Sequence, residues 1–208
     1  KSGTTKIYDF SGSSWVQKGD SIHGEEEDRS GISVKLSANG DIVAIGAYSN
    51  DAGGSVTNNR GNTKIYKYVD GNWTQMGSNI NGESAGDRSG TCIAMSKTGT
   101  LVAIGSPNAS SNTGHVRVFE SSGGITDEWV QKGSTLDGSA TNYVFGTALD
   151  LVGPGDLTKS GNVLAIGAPG NNDLSFNGLP TGGYVSVYEW DTSTSNWEIR
   201  QQIAPSTV

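Results

Sequence analysis

Apolar and polar residues alternate in short runs along this chain, and no long run breaks the pattern. Ile32 to Ser37, Thr91 to Ser96 and Thr147 to Leu151 each alternate with period two, between turns rich in Gly, Asn, Asp and Ser. That is the pattern of half-buried strands. After a turn, each is followed by a run of small apolar residues, Val-Ala-Ile-Gly or Leu-Ala-Ile-Gly, at 43–46, 102–105 and 164–167. A strand buried on both faces reads this way. No segment sustains the 3.6-residue apolar period of an amphipathic helix, so the expectation is an all-β chain.

The runs recur in order. The phrase Gly-x-Thr/Val-x-Ile/Val-Tyr/Phe occurs at Gly3–Tyr8, Gly61–Tyr66, Gly114–Phe119 and Gly183–Tyr188. A tryptophan follows each copy: Trp15, Trp73, Trp129 and Trp197. Three of these open Trp-Val/Thr-Gln-Lys/Met-Gly, and Trp197-Glu198-Ile199-Arg200-Gln201 is a looser copy. A glycine junction comes next, as Asp28-Arg29-Ser30-Gly31, Asp87-Arg88-Ser89-Gly90 and Tyr143-Val144-Phe145-Gly146. The period is about sixty residues. It divides residues 1–208, read as one segment, into approximately 1–24 (partial), 25–82, 83–138 and 139–208. Four short strands per unit suggest a four-stranded antiparallel blade, and radial packing of blades gives a β-propeller. A linear β-solenoid is the alternative, although its coils are usually much shorter.

Phe145-Gly146-Thr147-Ala148-Leu149, followed by Leu164-Ala165-Ile166-Gly167-Ala168-Pro169, resembles the FG-GAP repeat of integrin α-subunit propellers. The other copies carry Ser-Gly at 30–31 and 89–90, and end Gly46-Ala47-Tyr48 and Gly105-Ser106-Pro107. The resemblance covers almost the whole chain. It implies a propeller of roughly seven blades, with the Ser-Gly/Phe-Gly strand innermost and the Trp strand outermost. In that order the chain opens on a third strand and holds about three and a half blades. Lys1 lies inside a repeat, so a leader and further repeats are expected outside this sequence. Further repeats or a second chain are expected to close the ring, and two copies of three and a half blades would make seven.

Many FG-GAP repeats also carry an Asp-rich calcium loop between first and second strands. The matching turns here are Ser37-Ala38-Asn39-Gly40-Asp41, Ser96-Lys97-Thr98-Gly99-Thr100 and Gly153 to Gly161, the last with only Asp156. Calcium takes six to eight oxygens, several of them carboxylates. These turns lack that ligand set, so no metal and no cofactor is expected.

Composition narrows the partners. A net charge of −7 argues against nucleic acid or an anionic membrane surface. No apolar run is long enough to span a bilayer. The single cysteine, Cys92, aligns with Ser33 and Ala148 in a slot for small residues, which reads as a buried, unreactive thiol. His23 and His115 stand without a partner at metal-ligand spacing. No nucleophile–base pair is visible, so the chain is not expected to be an enzyme, and a propeller-based hydrolase ranks last.

Two groups of loops should share one face. Glu25, Glu26, Glu27, Asp28, Glu83 and Asp87 lie in the loops that precede the first strands. Asn50, Asp51, Asn171, Asn172 and Asp173 lie in the loops between second and third strands. Their oxygens suit a cation, a glycan or a basic protein, but turn geometry and a solvated face explain them as well. Repetition of Asp-Arg at one phase points to a structural tie between neighbouring units. The tryptophans fit packing between units, with Trp190 outside that register as the candidate exposed aromatic. Asn72-Trp73-Thr74 and Asn108-Ala109-Ser110 match the N-glycosylation pattern at turns. The expectation is an extracellular or cell-surface adhesion module that binds a protein or glycan through its loop face. The alternative is a structural subunit of a fibre or coat, joined through open edges.

Overall fold

The computed structural model describes residues 1–51, 58–156, 162–170 and 182–204. Asn171, Asn172 and Asp173 lie outside the described residues. The chain opens with β1 (Thr4–Thr5), β2 (Tyr8–Phe10), β3 (Trp15–Gln17) and β4 (Ile22–His23), in which β1 pairs with β4 and β2 with β3. The first full sheet comprises β5 (Ser33–Leu36), β6 (Ile42–Ala47), β7 (Asn62–Val69), β8 (Asn72–Gln75) and β9 (Ile80–Asn81). The second comprises β10 (Cys92–Met95), β11 (Leu101–Ser106), β12 (His115–Glu120), β13 (Val130–Gln131) and β14 (Leu136–Asp137). The third comprises β15 (Ala148–Val152), β16 (Val163–Ala168), β17 (Tyr184–Asp191) and β18 (Asn196–Ile203). All the strand pairs are antiparallel, and each full sheet is a meander in chain order. The all-β expectation holds.

One sequence detail sets the shape of the fourth strand. In the first two full sheets it is split in two, β8/β9 and β13/β14, both halves pairing with the same third strand. A glycine at positive φ, Gly77 or Gly133, lies in the gap. The glutamine two residues earlier donates to that glycine's carbonyl, Gln75 Nε2 at 3.1 Å and Gln131 Nε2 at 3.2 Å. The looser copy lacks both residues at these positions, and β18 runs unbroken.

The sheets stack in chain order through their first strands, with β10 lying against both β5 and β15. Three apolar layers fill the spaces between. Ile7 and Ile22 pack on Val43 and Ile45, and Ile42, Ala44 and Ile65 meet Ile93, Ile104 and Trp129. Leu101, Val116 and Leu136 share the third layer with Leu164, Ile166 and Trp197. The tryptophans tie this stack along its outer side. Trp73 Nε1 donates to the Lys18 carbonyl (2.7 Å), Trp129 Nε1 to Met76 (3.2 Å) and Trp197 Nε1 to Lys132 (2.9 Å). Trp15 is 68% exposed.

One expectation needs correction. Trp190 is half-buried rather than exposed: it sits opposite Trp197, with ring centroids 5.6 Å apart, in the register held by Phe10 opposite Trp15 and Tyr68 opposite Trp73. The Lys132 ammonium covers its ring at 4.4 Å.

Candidate functional site

The candidate loops are built largely on two aspartates. Asp28 and Asp87 are buried, and their carboxylates accept backbone N–H groups that close the loops before the first strands. Asp28 accepts from Glu25 N (3.0 Å) and from the Asn50 side-chain amide (2.7 Å), which joins two loops of one sheet. Asp87 accepts from Glu83 N (3.0 Å) and Ser84 N (2.7 Å). Asp51 accepts from Asn59 N at 2.9 Å. These carboxylates therefore shape the loops, which is the commonest task of Asp at turns. Glu26 and Glu27 are exposed.

The arginines that follow the aspartates adopt the left-handed conformation, φ 53° at both Arg29 and Arg88. Together they flank the Tyr48 ring at 5.4 and 5.8 Å, and Arg29 donates to the Tyr48 hydroxyl. That bond holds the phenol below its ordinary pKa, against the opposing effect of burial. Arg88 N and Ser89 N donate to the carbonyls of Asn59 (3.1 Å) and Arg60 (3.1 Å), just before the preceding third strand. The Asp-Arg junction thus joins consecutive sheets through backbone bonds and Tyr48.

One charged pair recurs across this face and changes character along the chain. In the first full sheet, Lys64 Nζ stands 2.8 Å from Glu25 Oε1. At the same register in the second, Arg117 Nη1 stands 3.9 Å from Glu83 Oε1, and Arg117 instead donates to the Asn81 carbonyl at 2.6 Å. In the third both charges are gone: Ser139 N donates to the Tyr184 hydroxyl at 3.0 Å, and Ser186 takes the basic position.

The second of these positions opens into a cleft of about 450 Å³ between the Glu83–Asp87 loop, the Asn108–Ser111 turn and Asp137. His115 lines it, is 5% exposed, and its Nε2 has no hydrogen-bond partner, standing 3.8 Å from Glu83 Oε2. Burial pushes this imidazole below its ordinary pKa, and the nearby Glu83 only partly offsets that. A buried polar atom left unmatched costs about 1–3 kcal/mol, and Arg117 Nε is a second such atom here. Ser110 and Ser111, in the short turn α1 (Ala109–Asn112), hold left-handed φ of 50° and 59°. Asn108 is half-buried, its amide donating to Asn112 Oδ1 at 2.8 Å, whereas Asn72 is exposed at the head of β8. His115, Arg117 and Asp137 were not singled out as binding residues from the sequence; the Glu25/Lys64 and Glu83/Arg117 register was the available signal.

Among the described residues, no group of three His, Cys, Asp or Glu side chains is placed to hold a metal. In the turn from Ser37 to Asp41 a lysine supplies the cation: Lys18 Nζ donates to the Gly40 carbonyl (3.1 Å) and Asp41 Oδ1 (2.8 Å). Asn39 closes the same turn by donating to Asp41 Oδ2 at 2.9 Å. Cys92 is half-buried, and burial raises its thiol pKa, the opposite of what a nucleophile needs. No helix among the described residues is long and apolar enough to cross a membrane. No known protein-family model matches the chain, and no characterised protein matches it in sequence.

Proposed function

We propose that the chain is a non-catalytic interaction module of FG-GAP type, a radial array of blades that binds by accepting a further sheet. One observation carries this reading. Gly46 and Gly105 are filled notches: a Cβ on either would meet the next sheet's Gly90 or Gly146 carbonyl oxygen at 2.0 or 2.1 Å. Their counterpart Gly167 is open, its nearest neighbour being the Ala148 Cβ at 3.1 Å from the same built position. Around it runs an apolar groove lined by Ala148, Val185 and Ile203. Val185 and Ile203 are exposed, whereas Ile80, which occupies the Ile203 register in the first full sheet, is buried. At the other end, Ile32 just before β5 and Val34 and Leu36 on it form an uncovered row, while Ile93, at the Val34 position of β10, is fully buried.

The occupant that suits these surfaces is a polypeptide hairpin with first- and second-strand chemistry, a glycine junction followed by Ala-Ile-Gly. It would pair with the free edge of β1 and β2 as β6 pairs with β7. An extracellular or cell-surface setting, suggested by the sequon at exposed Asn72, belongs to the same proposal. A synthetic hairpin of residues 31–47 tests it in trans. Hydrogen exchange should show new protection of the amides from Thr4 to Asp9; unchanged exchange at saturating peptide rejects sheet addition. A second reading, ligand binding on the loop face, is favoured by the cleft at His115.

A further inference from the structure

We infer that the cleft between Glu83, Ser110 and Asp137 is a binding site for a neutral, hydroxyl-rich ligand, a saccharide presenting a vicinal diol. The inference rests on the loop-face reading and not on sheet addition, and the full chain tests it in either assembly state.

The acidic residue, not the buried polar atom, separates this position from its equivalents, because Asn62 at the His115 register is buried and unmatched as well. The acidic residue at the head of each loop meets a partner from the third strand. Glu25 is closed on Lys64 at 2.8 Å, and at the third position Ser139 N is closed on the Tyr184 hydroxyl at 3.0 Å. Only Glu83, among these three described positions, stands back from its partners, 3.8 Å from His115 Nε2 and 3.9 Å from Arg117 Nη1. The loop is nevertheless held firmly. Asp87 fixes the Glu83 and Ser84 amides, and Arg60 donates to the Glu83 carbonyl at 2.9 Å. The gap is therefore built into the site rather than left by a slack loop.

His115 supplies an independent pointer. It is more than nine-tenths buried, lines the cleft, and its Nε2 bonds to nothing. The volume, about 450 Å³, falls in the range of small-ligand pockets and exceeds the need of a single water.

The choice of ligand follows from charge and hydrogen-bond capacity. Glu83, Asp87 and Asp137 are balanced in part by Arg117 and Arg60, so the site holds no large uncompensated charge to reward an ion. No three His, Cys, Asp or Glu among the described residues stand at metal distance. A hydroxyl both donates and accepts, so it can donate to the Glu83 and Asp137 carboxylates and match the imidazole in either tautomer. Two adjacent hydroxyls can address Glu83 Oε2 and His115 Nε2 side by side, one to each, because these atoms stand 3.8 Å apart without a direct bond. Ser84 and Ser110 add hydroxyls at the rim.

The chain's two histidines make the test direct, because His23 lies exposed, bonded to Thr4 Oγ1 at 3.1 Å, and serves as an internal reference. Imidazole proton resonances of the full 208-residue chain are followed while neutral monosaccharides and glycerol are added, with methylammonium as the cationic probe. A saturable shift of the His115 signal with at least one saccharide, and none at His23, is the expected result. Glu83→Ala and His115→Asn should each weaken that saccharide at least tenfold while leaving the melting temperature within a few degrees. The substituted asparagine is the residue that already stands at this register as Asn62 in the first full sheet. No shift at His115 with any saccharide overturns the inference. So does saturation by methylammonium with none by saccharides, or binding that survives Glu83→Ala unchanged.

Discussion

Gly46 faces Gly90 so closely that a Cβ on Gly46 would lie 2.0 Å from the Gly90 carbonyl oxygen. Two glycines from different sheets thus meet backbone to backbone, and Gly105 meets Gly146 in the same way at 2.1 Å. No side chain could flex away to relieve the clash, so the sheets themselves would have to part. We expect Gly46→Ala and Gly105→Ala each to lose more than about 3 kcal/mol, at or beyond the usual cost of overpacking. Gly167→Ala, where the added Cβ would meet only Ala148, its Cβ at 3.1 Å, should stay within about 1 kcal/mol of the parent. Urea unfolding of the three variants checks both statements; equal losses at all three positions would refute the notch.

The tryptophan ladder makes a second contrast. Trp129→Phe removes the indole bond to the Met76 carbonyl and packing inside a buried layer, and should cost about 1–3 kcal/mol. Trp15→Phe should be silent within about 0.5 kcal/mol, because Trp15 is mostly in water. Shifts in the denaturant midpoint at constant slope are the measurement.

His115 gives stability a pH dependence of known sign. Its folded-state pKa is depressed, mainly by burial, so the unfolded chain takes up the proton more readily. The stabilisation is fully present above the unfolded value, about pH 6.5, and is lost as pH falls toward the folded one. Arg117 opposes protonation while Glu83, Asp87 and Asp137 favour it. The melting temperature should fall between about pH 7 and 5, and His115→Asn should flatten that slope. A slope of the same size in the variant would assign the effect elsewhere.

Lys18 and Tyr68 form a pair that the chain itself varies. The Lys18 ammonium lies 5.0 Å from the Tyr68 ring centroid, and Lys132 covers Trp190 likewise at 4.4 Å. Between the first and second full sheets, Met76 and Ser121 stand at the corresponding positions, both buried. Lys18→Met, Tyr68→Ser and the double variant should show a coupling of about 0.5–1 kcal/mol. Strict additivity would mean that the two positions act separately. Because Lys18 also bonds the Gly40 carbonyl and Asp41, added calcium should leave the parent melting curve in place.

Much of the fold could be read from single positions. The alternation at Val34, Ile93 and Leu149 placed the first strands, and the small apolar runs placed the buried β6 and β11 and the β16 strand, which is buried only at alternate positions. Backbone periodicity is local, so the sequence exposes it directly. The candidate site was less legible. Asp28 and Asp87 stood out as possible ligands because their residue type is ambiguous, and only their buried bonds to Asn50, Glu83 and Ser84 show that they hold loops. In the sequence His115 has no partner at metal-ligand spacing, yet it carries the unmatched nitrogen of the cleft.

The sequence by itself determined the strands, their order and the glycines at each junction, because steric limits and side-chain alternation act within a few residues. Tertiary structure alone decided which carboxylates are paired closely and which stand back from their partners. That depends on distances across the fold: 2.8 Å from Glu25 to Lys64 against 3.9 Å from Glu83 to Arg117, a difference that the shared acidic–basic register does not reveal.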